Sequence, residues 1–153
     1  MIRRILTLAG IALISCVDLK AQEIKIITVV ESIVPAGIGR SRIIEHDQDM
    51  SYEAFTTERT DGKKSDQSTV RRKDLKLDKF KETKLLNFYS LAGINFQNIA
   101  SNDAIISNKL TEMVQQGWQL LHTTSGVESN AGADDGEGIF ITRFVFMRPA
   151  TTE

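Results

Sequence analysis

Residues 37–42 hold the groups of this chain that are best suited to binding a small anion. Glycines in this turn would let backbone N–H groups approach an oxyanion, and the forked N–H groups of Arg40 and Arg42 match a carboxylate or a phosphate. Ser41 lies between the two arginines, and we expect Arg143 to join them. The spacing matches neither a Walker loop nor a dinucleotide-binding loop, because no helix pattern follows. The alternative is a structural turn with arginines in solvent or in ion pairs.

A second candidate site is the loop at residues 125–138, which carries the carboxylates of Glu128, Asp134, Asp135 and Glu137. Carboxylate oxygens suit calcium, but the loop lacks the alternating ligand spacing of a known calcium loop. The alternative is a hairpin tip whose charges and glycines oppose aggregation. We prefer that alternative and expect no metal.

Few residues could act as an acid, a base or a nucleophile. His46 and His122 are the only histidines, and neither Ser41 nor Ser125 lies in a motif that would activate a serine. A pair of carboxylates brought together by folding stays open, because such pairing is spatial. We therefore expect a protein without a catalytic centre and without a cofactor.

A helix at residues 102–116 is the predicted element around which the rest is organised. Ser101, Asn102 and Asp103 are all suitable N-cap residues, and apolar residues then recur at steps of three and four. Gly117 stands where a left-handed residue ends a helix. We expect the ring of Trp118 to fold back onto the helix or to anchor the next strand.

Five strands are predicted, at residues 24–34, 40–44, 84–91, 118–124 and 138–148, with Pro149 ending the last. The first and last strands are apolar on both sides, which is typical of central strands covered on both faces. The pattern indicates an α+β fold of two layers, with a mostly antiparallel sheet of four or five strands and one main helix on one face. We expect the second face to be covered by residues 45–84 or by another copy of the protein. Phe144→Asp or Phe146→Asp should then break the assembly.

Residues 45–84 are charged and carry thinly spaced apolar side chains, so we predict a partly mobile excursion from a single domain at residues 23–149. Asp61 and Gly62 predict a turn, with residues 56–59 and 68–72 as its flanking arms. Residues 150–153 form a tail.

The N-terminal residues have the pattern of an export signal, with Arg3 and Arg4 before a short apolar segment. We prefer cleavage near Ala21 or Gln22, which gives a periplasmic or secreted protein without cysteine. The alternative is lipid modification of Cys16, which would anchor the protein to the outer membrane; we expect a membrane contact only in that case. Removal of residues 1–22 takes away three basic residues and one acidic residue, which leaves 16 basic and 19 acidic residues. This acidic balance argues against binding of nucleic acid.

The motif Gly117-Trp118-Gln119-Leu120, with Arg148 and Pro149 at the end of the last strand, resembles a bacterial family of small domains of unknown function. That family shows a helix ending in Gly-Trp-Glu-Leu, then a hairpin that ends in Arg-Pro. Residues 33–42, 57–64 and 86–102 also resemble exported, uncharacterised proteins of the Bacteroidetes. The resemblance implies the fold and no activity.

The function that we expect is non-catalytic binding or assembly outside the cytoplasm through protein contacts, in particular with itself. An apolar sheet face or an unpaired strand edge would provide the surface. The alternative is binding of a small anionic ligand or glycan at residues 37–42. An enzyme is the least favoured class.

Overall fold

The computed structural model describes residues 22–33, 40–90, 92–127 and 138–150. Its main sheet has five strands: β1 (Gln22–Ser32), β2 (Arg42–Glu45), β3 (Lys81–Lys84), β6 (Gln119–Val127) and β7 (Ile139–Pro149). All neighbours are antiparallel and the order is β3-β2-β1-β7-β6, so the sheet is open. Strands β4 (Tyr89–Ser90) and β5 (Gly93–Ile94) form a separate pair. The predicted α+β fold is confirmed.

The longest pairing joins the two ends of the described chain. β1 runs alongside β7 from the pair Gln22 and Pro149 to the pair Ser32 and Ile139. Both strands therefore lie inside the sheet, as their two-sided apolar pattern predicts. Pro149 is the last residue of β7 and pairs with Gln22.

The helix α1 (Phe96–Gln115) begins earlier than predicted. Its N-cap is Asn95, whose side-chain oxygen accepts a hydrogen bond from the N–H of Asn98. The predicted start near Asn102 is wrong, because that side chain is buried and holds a loop instead of a helix end. The predicted end is confirmed: Gly117 has φ +84°, and the N–H of Trp118 donates to the carbonyl of Met113.

The strand predicted at residues 84–91 is present only in part, as Lys84 of β3 and as β4 (Tyr89–Ser90), and its middle is wrong. β3 ends at Lys84, and the chain then continues as a loop that bonds to other parts of the protein. The N–H of Leu85 donates to the carbonyl of Ser41, while both backbone groups of Leu86 bond to the side chain of Asn102. Leu85 and Asn87 are buried and Leu86 is exposed, so side chains alternate between buried and exposed as in a strand. The backbone of these residues nevertheless does not pair with a neighbouring strand.

The core lies between α1 and one face of the sheet. Its buried apolar residues are Ile27, Val29, Ile43, Leu85, Met113, Trp118 and Phe146, and Phe144 packs against them. Phe144 and Phe146 therefore face the helix, so an aspartate at either position would disrupt the core before it tested any assembly. We call the opposite side of the sheet the outer face; because side chains alternate along a strand, it carries Ile24, Ile26, Thr28, Val30, Arg143, Val145 and Met147.

Residues 46–80 connect β2 to β3 through two short 3-10 helices, Tyr52–Phe55 and Asp66–Thr69. The predicted turn is present: Gly62 has φ +70°, and a carboxylate oxygen of Asp61 accepts from the N–H groups of Lys63 and Lys64. Its predicted arms are not strands. The last four residues of the predicted excursion are not a loop either, because they form β3 at one edge of the sheet.

Candidate functional site

The predicted anion turn lies partly outside the described residues, and its described part has structural partners. Ser41 is buried; its hydroxyl donates to Asn87 Oδ1 at 2.8 Å and accepts from the N–H of Ser32 at 2.9 Å. The guanidinium of Arg42 forms an ion pair with Glu82, and Arg40 is exposed. Through these contacts, Ser41 and Arg42 help to hold β1, β2 and β3 together.

Arg143 lies on the outer face of β7, away from this turn. It is directly opposite Thr28 of β1, whereas Arg42 is opposite Val30. With strands about 4.8 Å apart and about 3.4 Å per residue, the Cα atoms of the two arginines are about 12 Å apart. The two arginines thus lie on either side of β1, and Arg42 is already paired with Glu82.

The other predicted chemical residues are dispersed. The acidic residues of the loop at 128–137 lie outside the described residues. The hydroxyl of Ser125 shares a hydrogen bond with that of Thr142 at 2.9 Å, and His122 is exposed on β6. Within the described ranges, no three His, Cys, Asp or Glu side chains gather into a set that could hold a metal ion.

The family-like motif forms a structural contact. Trp118 is buried in the core, and the guanidinium of Arg148 lies 4.3 Å from the centroid of its ring. Nε of Arg148 also donates to Glu23 at 2.7 Å, so this cation ties the ends of β1, β6 and β7. Leu120 is exposed. Sequence spacing alone predicted the position of Trp118 but not its cationic partner.

A buried polar cluster was not predicted at all. Asn102 is fully buried; its amide donates to the carbonyl of Leu86 at 2.8 Å and to Glu31 at 3.2 Å, and its oxygen accepts from the N–H of Leu86 at 2.8 Å. Burial raises the pKa of Glu31; the bond from Asn102 opposes the rise and the nearby charge of Asp103 adds to it. This cluster joins the helix, β1 and the loop after β3.

A second charged group joins α1 to β2. Lys109 forms ion pairs with the buried Glu45 at 2.9 Å and with Glu112 at 3.1 Å. Burial lowers the pKa of Lys109, but the bonds to the two carboxylates outweigh it and the pKa is raised. Each of these charges thus has an oppositely charged partner within the protein, which indicates a structural group.

The free edge of β6 is the most unusual surface of the sheet. β6 is the last strand in the order, pairs only with β7, and all nine of its residues are exposed. It contains no lysine, arginine, aspartate or glutamate, and Leu121 and Val127 are 57% and 59% exposed. A register shift at Leu121 marks a bulge, after which residues 122–127 continue regularly. Natural edge strands are usually protected by charge, by shortness or by bulges. β6 has neither charge nor shortness, and beyond the bulge residues 122–127 are unprotected.

A groove on the outer face is the second notable surface. Ile26, Thr28, Ile44 and Arg143 form its floor, and Met50, Leu75, Leu77 and Phe80 from the excursion form its wall. Its volume is about 700 Å³. The excursion thus covers part of the outer face but leaves a largely apolar opening there.

Comparison of the chain with protein-family models, with curated proteins and with solved structures gives no significant match. The function is therefore argued from geometry. Among the described residues, no helix is both long enough and apolar enough to cross a membrane.

Proposed function

We propose that this protein is a non-catalytic assembly module that pairs β6 with β6 of a second copy. The observation that supports it is the free edge of β6, which is regular and unprotected over residues 122–127. Unpaired N–H and C=O groups along such an edge are a template for another strand, and exposed apolar side chains strengthen the pairing. The export pattern of residues 1–22 would place this assembly outside the cytoplasm.

The opposite edge of the sheet, β3, supports β6 as the edge that pairs in the proposed dimer. β3 has only four residues, Lys81–Lys84, and three of them are charged. Lys81 forms an ion pair with Asp47 at 2.7 Å, and Glu82 forms one with Arg42. An edge of this kind resists pairing because a second strand would have to desolvate those charges. The two edges therefore differ in the way expected if only β6 has a partner.

Self-pairing has a simple geometry. A two-fold axis perpendicular to the sheet makes the two β6 strands antiparallel and keeps both helices on the same side of a continuous ten-stranded sheet. Directly opposite residues of paired strands lie on the same face of a sheet. The two-fold axis must therefore pass between the two copies of one residue, and not between two successive residues. In the regular part of β6 that residue is Thr124 or Ser125, so two copies of the same hydroxyl side chain would meet.

Backbone pairing alone would give a weak dimer. The six regular residues 122–127 offer about one hydrogen bond each, worth about 0.5–1.5 kcal/mol net. The loss of translational and rotational freedom on association costs about 4–15 kcal/mol. Contacts of Leu121 and Val127 must supply the difference, and we expect the dimer to depend on concentration.

The test is the mass in solution of the purified protein, measured by light scattering over a concentration range. Ser125→Lys and Ser125→Glu should each weaken the dimer severalfold, because like charges then lie directly opposite each other if the axis is at Ser125, and diagonally opposite if it is at Thr124. An equimolar mixture of the two variants should restore it, because the charges are then opposite. Thr83→Lys, on the edge of β3, is the matched control and should leave the dimer intact.

A protein that stays monomeric at every concentration would refute the proposal. So would a Ser125→Lys variant with the dimerisation constant of the original protein. If the protein is always monomeric, β6 could still pair with a strand of a different protein. If the lysine variant dimerises normally, the dimer forms through another surface.

A further inference from the structure

The outer-face groove binds a ligand of its own, and we propose that the ligand is a long-chain carboxylate of the fatty-acid type. The proposal is independent of β6 pairing, because the groove lies over β1, β2 and β7 and does not include β6. It also differs from the anion turn at residues 37–42, because its floor and wall are mostly apolar.

The apolar part of the groove fits a hydrocarbon chain. Ile26 and Ile44 lie on neighbouring strands of the floor, and Leu75 and Phe80 stand in the wall with 48% and 50% of their surface exposed. Met50 adds a flexible side chain that adapts to a ligand of irregular shape. The volume of about 700 Å³ lies within the usual range for small-molecule sites. Covering these side chains would remove apolar surface from water.

The charged part of the groove fits a carboxylate head group. Arg143 is in the floor, and no described carboxylate forms an ion pair with it. Its guanidinium can bind both oxygens of a carboxylate at once. Thr28, directly opposite on β1, offers a hydroxyl beside it. Lys76, in the wall, adds a second positive charge to the lining as a whole. No Asp or Glu lines the groove, so the field there favours an anion.

The arrangement of the floor gives the ligand a direction. Ile44, Thr28 and Arg143 lie side by side on β2, β1 and β7, so the floor passes from apolar to charged across the sheet. The chain of the ligand would lie toward β2 and the excursion, and its head toward β7. A second copy of the protein fits this surface less well, because a two-fold contact here would bring two Arg143 side chains together.

A neighbouring hollow of about 520 Å³ shows the contrast. It is lined by Glu23, Lys25, Asp47 and Asp49 among others. Two of its carboxylates already have close partners within the protein: Lys81 lies 2.7 Å from Asp47, and Arg148 lies 2.7 Å from Glu23. The outer-face groove, by contrast, combines an apolar lining with Arg143 and Lys76, which have no ion-pair partner among the described residues.

The test is titration calorimetry of the purified protein with laurate, kept below its micelle concentration, and with methyl laurate, which has the same chain without the charge. We expect saturable binding of laurate and at least tenfold weaker binding of the ester. Arg143→Gln should weaken laurate binding about tenfold and abolish the preference over the ester. Lys76→Gln should weaken laurate binding by a smaller factor. Arg59→Gln, an exposed arginine outside the groove lining, is the control and should change nothing. Arg40→Gln separately tests the turn at residues 37–42.

Each contrary result overturns the proposal. Absence of laurate binding would exclude the ligand class, and equal binding of laurate and its ester would exclude recognition of the head group. An affinity that falls in Arg40→Gln and not in Arg143→Gln would move the site to the turn at residues 37–42. Circular dichroism of each variant identifies loss of folding, and Lys76→Gln in the exposed excursion tests the charge without altering the sheet.

Discussion

Asn102→Ala should destabilise the protein more than any other asparagine-to-alanine change in α1. Asn102 is fully buried, and its side chain makes three hydrogen bonds, two to the backbone of Leu86 and one to Glu31. The methyl group of alanine can replace none of them. Leu86 would lose the partners of both its N–H and its C=O group, so the loop after β3 would lose its attachment to the helix.

The expected magnitude follows from these contacts. Three hydrogen bonds at about 1 kcal/mol net each contribute about 3 kcal/mol. Alanine has a higher helix propensity than asparagine, which returns about 0.5 kcal/mol. The net loss is therefore about 2–3 kcal/mol. For a domain of this size 1 kcal/mol corresponds to about 4 °C, so Tm should fall by about 10 °C.

Asn108→Ala is the matched control. Asn108 lies in the same helix, is exposed, and makes no side-chain hydrogen bond to any described residue. It gains the same helix propensity without losing a contact, so its free energy of unfolding should rise slightly. Urea unfolding of both variants, followed by circular dichroism, measures the difference. Equal stabilities of Asn102→Ala and Asn108→Ala would refute the argument that Asn102 holds the loop in place.

Two further predictions test the helix end and the buried carboxylate. Gly117→Ala should lower the free energy of unfolding in urea by about 1–2 kcal/mol, because φ is +84° and alanine is strained there. A new Cβ would meet no atom within 4 Å, so the loss comes from the backbone conformation and not from a clash. An unchanged free energy of unfolding would contradict this prediction. Burial raises the pKa of Glu31 above its ordinary 4.5, so its contribution to stability is present below pH 4.5 and is lost as pH rises through the raised value. Glu31→Gln keeps an oxygen that accepts from Asn102 and removes the partly buried charge, so it should raise Tm at neutral pH. In thermal unfolding below pH 4.5 this increase in Tm should vanish. An increase in Tm that does not depend on pH would refute the raised pKa of Glu31.

The sequence predicted the elements that local rules determine. Gly117 ends the helix because it alone takes a positive φ without a steric penalty, a property of one residue and its neighbours. The alternation along β7 correctly separated the side that bears Phe144 and Phe146 from the side that bears Val145 and Met147, because the period of a strand is two. The central position of β1 followed from the same rule.

The predictions fail where a polar group bonds to a residue distant in the sequence instead of to a near neighbour. Asn102 has the chemistry of an N-cap, but it bonds to Leu86, and Asn95 caps the helix instead. Leu86 lies in a segment with a strand pattern, but its backbone bonds to that asparagine and not to a neighbouring strand. Ser41 likewise bonds to residues distant in the sequence, Ser32 and Asn87, which its local pattern does not indicate. A sequence pattern cannot show which of two hydrogen-bonding partners a polar group will meet.

The sequence by itself determined the fold class, the end of the helix and the two apolar sides of the central strands, because these depend on residue type and spacing over a few positions. Only the tertiary structure decided which strand edge is left free and where the cations lie. Strand order places uncharged β6 at one edge and charged β3 at the other. The pairing of β7 with β1 sets Arg143 beside Thr28, in a groove that the distant residues 75–80 complete. Both candidate surfaces are made by residues far apart in the chain, and their proximity is a consequence of packing rather than of any local pattern.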